Sequence, residues 1–262
     1  DDTSGDDDVS DDDDDDDDTT TGEFTVSDLG WRLHDDIESM VWVTWEQTGW
    51  GTLHVEFSFE NDEWHSTPSA ESGPGSNERL VVGVPFEMSG EWRLVPEGED
   101  AIDGPAFTTG DLPSGLPTAA VVVSDEANWL PEGKYLLSSI NEYNGGWTGG
   151  RYWTFIIDRQ ARVLWARYAP SGHWTLYATV AKSGDHILWD EATAWSDWDG
   201  GAGSTIHRVY LDEEIEEIST PGLHHSFIEM EDTTLVWGSQ YHGGGESLVE
   251  RTPGQTGETI IW

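Results

Sequence analysis

The stretch WTLYATVAKSGDHILWDEA (174–192) and its continuation STIHRVYLDEEIEEIS (204–219) decide how this chain folds. Each half is a short apolar run, a polar turn (KSGD in one, DEE in the other) and a second run. That order is the signature of a β-hairpin, and no helical period competes with it. The pattern recurs on both sides. Upstream, AAVVVSDEANWLPEGKYLLSSIN (119–141) pairs with YWTFIIDRQARVLWARY (152–168), around the turns PEG and DRQA. Downstream, LHHSFIEMEDTTLVWGS (223–239) pairs with ESLVERTPGQTGETIIW (246–262), around EDT and TPGQTG. Units of about 40 to 50 residues with four short antiparallel strands match the blade of a β-propeller. A second sandwich made of coincidental hairpins is the competing reading. Because a ring takes about four to eight blades, three predict an incomplete propeller. Further chain past Trp262, or a three-plus-three dimer, would then complete it.

Ahead of the repeat, TGDLPSGLP (109–117) reads as a linker, assigned to 111–118. Before it the apolar runs are Phe24–Val26, Val41–Glu46, Leu53–Phe59, Leu80–Val84, Glu91–Val95 and Ala106–Thr108. In VWVTW (41–45) and HVEFSF (54–59) the side chains alternate, so one face enters a core and the other meets solvent. Trp45, Val55, Phe57, Phe59 and Trp92 are the expected core. The order of these runs resembles a fibronectin type III or immunoglobulin-like domain, a likeness that implies a fold and no function. The chain therefore reads as all-β: a tether (1–22), a sandwich (23–110), a linker (111–118) and three four-stranded blades (119–262).

Charge narrows the function classes. The chain has 53 acidic and 11 basic side chains, a formal net charge of −42, and Lys134 and Lys182 as its only lysines. Nucleic-acid binding by bulk electrostatics needs clustered Lys and Arg, so no nucleic-acid partner is expected. With no cysteine, disulfides and thiolate metal sites are excluded. Residues 1–18 hold 13 aspartates and one apolar side chain, Val9, a composition that predicts disorder. The remaining acidity fits either a halophile's shell or an exported protein kept soluble by charge. An Asp/Ser/Thr/Gly-rich leader resembles the tether of bacterial surface lipoproteins. It implies an extracytoplasmic location, secreted or anchored through a lipidated residue upstream of Asp1.

The segment STIHRVYLDEEIEEISTPGLHHSFIEMEDTTLVWG (204–238) resembles the arylsulfotransferase family of bacterial propeller enzymes. The resemblance rests on Leu223-His224-His225-Ser226-Phe227, on the turn at Glu231-Asp232-Thr233, and on Leu211-Asp212-Glu213 before them. Ser226 stands where the family usually has an acidic residue, and Glu213 and Thr233 replace turn glycines. The resemblance implies sulfuryl transfer between phenolic compounds through a histidine, with no free cofactor and no metal. His224 and His225 are then the catalytic candidates, facing a channel. The family's nucleophilic histidine lies in a later blade, and nothing in this chain matches it. Arg208 and Arg251 are candidate anion clamps, and His242 sits in a glycine-rich loop that would overhang the channel. His207 and Arg208 are adjacent on one strand, so at most one of them faces that channel.

The 16 tryptophans support a different reading, a non-catalytic module that binds a glycan, a phenol or a partner protein. Trp147, Trp153, Trp174, Trp195 and Trp198 are assigned to positions in or beside loops that join blade strands, where rings stack on sugars or phenols; Trp195 and Trp198 are the substrate-binding candidates. Trp165, Trp189, Trp237 and Trp262 are assigned to the core. Asp197-Trp198-Asp199-Gly200 opens like a calcium loop, but the twelfth position is Arg208 where a full loop needs Glu.

Overall fold

A computed structural model describes residues 24–60, 63–131, 133–142, 150–193, 197, 201, 203–210, 215–242 and 245–262, with backbone alone at 224 and 225. The Asp-rich leader expected to be disordered lies outside the described residues. The chain is all-β, a sandwich followed by stacked antiparallel sheets in an incomplete propeller-like arrangement.

One sheet of the sandwich holds β1 (Val26–Leu33), β2 (Val41–Gln47) and β6 (Gly75–Val81), in the order β1-β2-β6. The other is centred on β3 (Gly51–Phe59) and β7 (Ser89–Pro96), with the short strands β4 (His65–Ser66), β5 (Ala70–Ser72), β8 (Ile102–Asp103) and β9 (Phe107–Thr108) beside them. Sending the first two strands to one sheet and the third to the other is the immunoglobulin-type division. Alternation drives it: Val41, Val43 and Trp45 of β2 face Leu53, Val55 and Phe57 of β3 and Trp92 and Leu94 of β7 in one buried cluster. Phe59, expected in this core, is only partly buried at its edge. The indole N–H of Trp45 donates to Gln47 Oε1 (2.7 Å) and that of Trp92 to the Pro105 carbonyl (2.8 Å), so the large rings bury no unmet donor here.

After a 3₁₀ turn (Glu126–Asn128) come β10 (Tyr135–Asn141), β11 (Tyr152–Asp158) and β12 (Val163–Tyr168), the first of the stacked sheets. The second contains β13 (Ala178–Val180), β14 (His186–Glu191), β15 (Thr205–Tyr210) and β16 (Ile215–Ser219). The third contains β17 (Leu223–Glu229), β18 (Leu235–Ser239), β19 (Ser247–Arg251) and β20 (Thr259–Ile260). The last two sheets are four-stranded meanders, as the repeat predicts; the first has three strands. Val121, Val122 and Val123, expected to open it, are exposed and outside any strand. Instead β10 lies beside β13, so the first strand of this sheet meets the first strand of the next.

The fourth position is filled from elsewhere. On the outer edge of β12, Phe86 N–H donates to the Val163 carbonyl (3.0 Å) and Ser39 Oγ donates to the Leu164 carbonyl (2.7 Å). Both donors belong to sandwich loops, which thus satisfy edge groups that a strand would otherwise have to pair. Ile37, Met40 and Phe86 pack there with Trp153, Trp165 and Trp189, and Leu116 of the linker joins the same cluster. The linker is therefore part of a core.

Strand β14 is buried along its whole length. Its Ile187 and Trp189 enter the cluster shared with the first sheet, and Leu188 enters the cluster shared with the third. Strand β15 divides in the same way, Val209 to one side and Ile206 to the other. Trp165, Trp189 and Trp237 are buried as expected. Trp262 is exposed, at 83%, because it lies past the end of β20 and only its backbone pairs, with Leu248.

Candidate functional site

Between the first and second sheets, polar side chains gather at one end of the shared core. Glu191 ends β14, His207 lies on the neighbouring β15, and His173 sits in the connection after β12. A backbone bridge, Trp174 N–H to the Ala192 carbonyl (2.8 Å) and Ala192 N–H to the Trp174 carbonyl (3.1 Å), pins that connection against the end of β14. Asp190 pins it further: its Oδ1 accepts from Leu176 N–H (2.9 Å) and Tyr177 N–H (2.7 Å).

The result is a carboxylate between two imidazoles. Glu191 Oε1 contacts His173 Nδ1, and Glu191 Oε2 lies 3.3 Å from His207 Nε2. The His207 ring stacks on Trp189, with centroids 5.5 Å apart and planes 16° from parallel. Burial alone would raise the pKa of Glu191, but the imidazoles of His207 and His173 beside it outweigh this and hold the carboxyl below its ordinary range. Asp190 faces the opposite side of the strand, and there burial dominates, pushing its pKa up to about 7 against the hydrogen bonds from Tyr177 and Leu176.

This group borders a cavity of about 340 Å³ whose walls include Tyr168, Trp189, Thr205 and Glu217. Among the described residues no group of three His, Asp or Glu side chains is arranged to hold a metal. His173, Glu191 and His207 line this cavity together with the rings of Tyr168 and Trp189.

The residues singled out in the sequence fall elsewhere. His224 and His225 are in β17, and their side chains lie outside the described residues, as do Trp195 and Trp198 entirely. Arg208 faces away from this cavity, buried between the second and third sheets, where its guanidinium donates to Glu229 Oε1 (2.9 Å from Nε, 2.5 Å from Nη2) and to Glu216. Glu229 Oε2 also meets His186 Nε2 at 2.7 Å. Arg208 is thus a clamp between sheets, where an anion-binding residue was expected. His242 lies in the connection between β18 and β19, 3.2 Å from Glu258 Oε1, and Glu258 Oε2 accepts from Arg251 Nη2 at 3.2 Å. His207 and Arg208 do face opposite ways, as the alternation predicts. The sequence offered one pointer to the site, two carboxylates closing the buried run HILW (186–189). It offered none to His173.

Compared with known proteins, the chain matches no family model. No curated protein matches it either.

Proposed function

We propose that this protein is an extracytoplasmic binding module whose ligand is a neutral glycan residue, held in the cavity between the first and second sheets. The observation that carries the reading is the make-up of that cavity: stacked Trp189 and His207 rings beside Glu191, His173, Thr205 and Glu217. A sugar presents an apolar C–H face and several hydroxyls. The face packs on rings, while each buried hydroxyl needs a donor or acceptor, and the polar side chains of this lining supply them. The protein's strong negative charge favours a neutral ligand over an anionic one at long range. The Asp-rich leader supports the location, as a spacer that holds the folded part away from a surface.

The test is calorimetric titration with methyl glycosides of glucose, galactose, mannose and N-acetylglucosamine. At least one is expected to bind, and Glu191→Gln is expected to weaken it about 10- to 100-fold, the effect of removing a charged hydrogen-bond partner. Absence of binding by all four would reject the reading. Histidine-mediated sulfuryl transfer is supported by the resemblance around His224 and His225 alone. Turnover of 4-nitrophenyl sulfate with a phenol acceptor, abolished by His224→Ala or His225→Ala, would put it in place of the binding reading.

A further inference from the structure

The second sheet lies between two neighbours, sharing one apolar cluster with the first sheet and another with the third, and its strand β14 is buried along its whole length. The third sheet is covered on one side only. Leu223, Phe227, Leu235, Trp237 and Val249 point from it toward the second sheet. Residues that alternate with them turn to the opposite face, where Ile228 is 48% exposed, Met230 42% and Leu248 36%. Val236 lies opposite Ile228 in the register, and Ile261 N–H donates to the Leu248 carbonyl (2.8 Å), which sets Ile261 beside Leu248. These side chains make one apolar patch across β17, β18 and β19, and a contiguous patch marks an interaction surface where scattered exposure does not.

The charge around the patch is of one sign. Glu250 sits in it, paired in register with Val236, and Glu231 and Asp232 stand exposed in the β17–β18 turn beside Met230. Arg251 is the only Lys or Arg in the sequence after Arg208. It points to the covered face, 5.8 Å from the centre of the Trp237 ring, and is paired with Glu258.

This pattern decides between occupants. A second copy laid on the same face would set these acids against their own kind, at a net charge of −42 per chain, and like charges across an interface repel. A cationic rim would be attracted. The shape of the occupant follows from the stack, in which sheet covers sheet, because two pleated faces pack about 10 Å apart with their side chains interdigitated. We infer that the open face of the third sheet docks a different protein through a β-sheet face that is apolar at its centre and carries Lys or Arg at its rim. This surface lies on the far side of the third sheet from the sugar cavity and does not depend on what that cavity holds.

Two synthetic β-hairpins of equal length and equal lysine count serve as probes. One alternates valine with lysine along each strand; the other has threonine in place of every valine. Each is labelled with fluorescein and titrated with the whole chain at about 0.15 M sodium chloride, where long-range attraction is largely screened. Fluorescence anisotropy is expected to show the valine hairpin binding about tenfold tighter than the threonine one. Ile228→Thr and Leu248→Thr, at exposed strand positions that tolerate a β-branched polar residue, are expected to erase that advantage and leave the threonine hairpin's affinity in place. Glu250→Lys reverses a charge inside the patch. It is expected to weaken the valine hairpin about threefold to tenfold, and it provides a second readout should a threonine variant not fold. Equal affinity for the two hairpins, or a valine advantage that survives both threonine substitutions, would overturn the inference. So would sedimentation of the whole chain as a dimer that Leu248→Thr converts to a monomer, since the face would then belong to a second copy.

Discussion

Asp190 holds the connection that carries His173, and it does so at a cost set by pH. Its pKa is raised from the ordinary 3.8 to about 7, so its contribution to stability is fully present below about pH 4 and is lost as pH rises through 7. The loss amounts to about 4 kcal/mol at most, since each tenfold change in proton affinity between the folded and unfolded chain is worth about 1.4 kcal/mol. In Asp190→Asn the amide oxygen can accept the same two N–H groups without a charge, so urea unfolding is expected to show a flat stability from pH 5 to 8 and a more stable protein than wild type at pH 8. Glu191 works in the opposite sense. Its pKa is lowered, so what it adds is present above its ordinary 4.5 and is lost on acidification. Thr233 shows a different cost, a β-branched residue at φ +64° in the β17–β18 turn. Such a residue is strained there by about 1–2 kcal/mol, and Thr233→Gly is expected to raise the thermal midpoint by a few degrees.

Among the elements, a buried ion network reinforces the apolar contact between the second and third sheets. Arg208, His186 and Glu229 are nearly inaccessible, and they join the second sheet to the third. In Arg208→Met, Glu229 would stay buried with its strongest partner gone, at a cost of about 3–5 kcal/mol in chemical unfolding. The repeat that predicts these sheets was legible because short apolar runs are separated by polar turns at regular spacing. Its first unit differs from the expectation by one strand. Val121–Val123 have the composition of a strand, but β10, which they would pair, stands beside β13 instead, and the opposite edge, β12, takes hydrogen bonds from Phe86 and Ser39, residues that no local pattern connects to it. The candidate site was illegible for a related reason: His173, Glu191 and His207 meet only through the Trp174–Ala192 bridge and the β14–β15 register. The His224–His225 pair is conspicuous in the sequence because it is contiguous.

For the molecule as a whole, a net charge of −42 works against compactness. Raising salt from about 0.15 M to 1 M shortens the screening length from about 8 Å to about 3 Å. Thermal unfolding is therefore expected to shift upward with sodium chloride, most between low and physiological concentrations. The buried pairs around Arg208 and Glu191 are shielded from this change, so the gain should come from the acidic surface. A midpoint that falls with salt would mean that exposed ion pairs such as Arg32–Glu78 outweigh the repulsion.

The sandwich and the stacked sheets look like separate modules on paper, joined by a proline- and glycine-rich connector. Ile37, Met40, Phe86 and Leu116 say otherwise, since they are buried in the same cluster as Trp153, Trp165 and Trp189. A gene trimmed at residue 110 would yield a fragment with a greasy, self-adhesive flank. The complementary piece would leave the outer edge of β12 without the hydrogen bonds of Phe86 and Ser39. Anyone dissecting this protein should expect both halves to clump, and should look for the smallest well-behaved unit in a span that keeps the first 110 residues together with at least the second sheet.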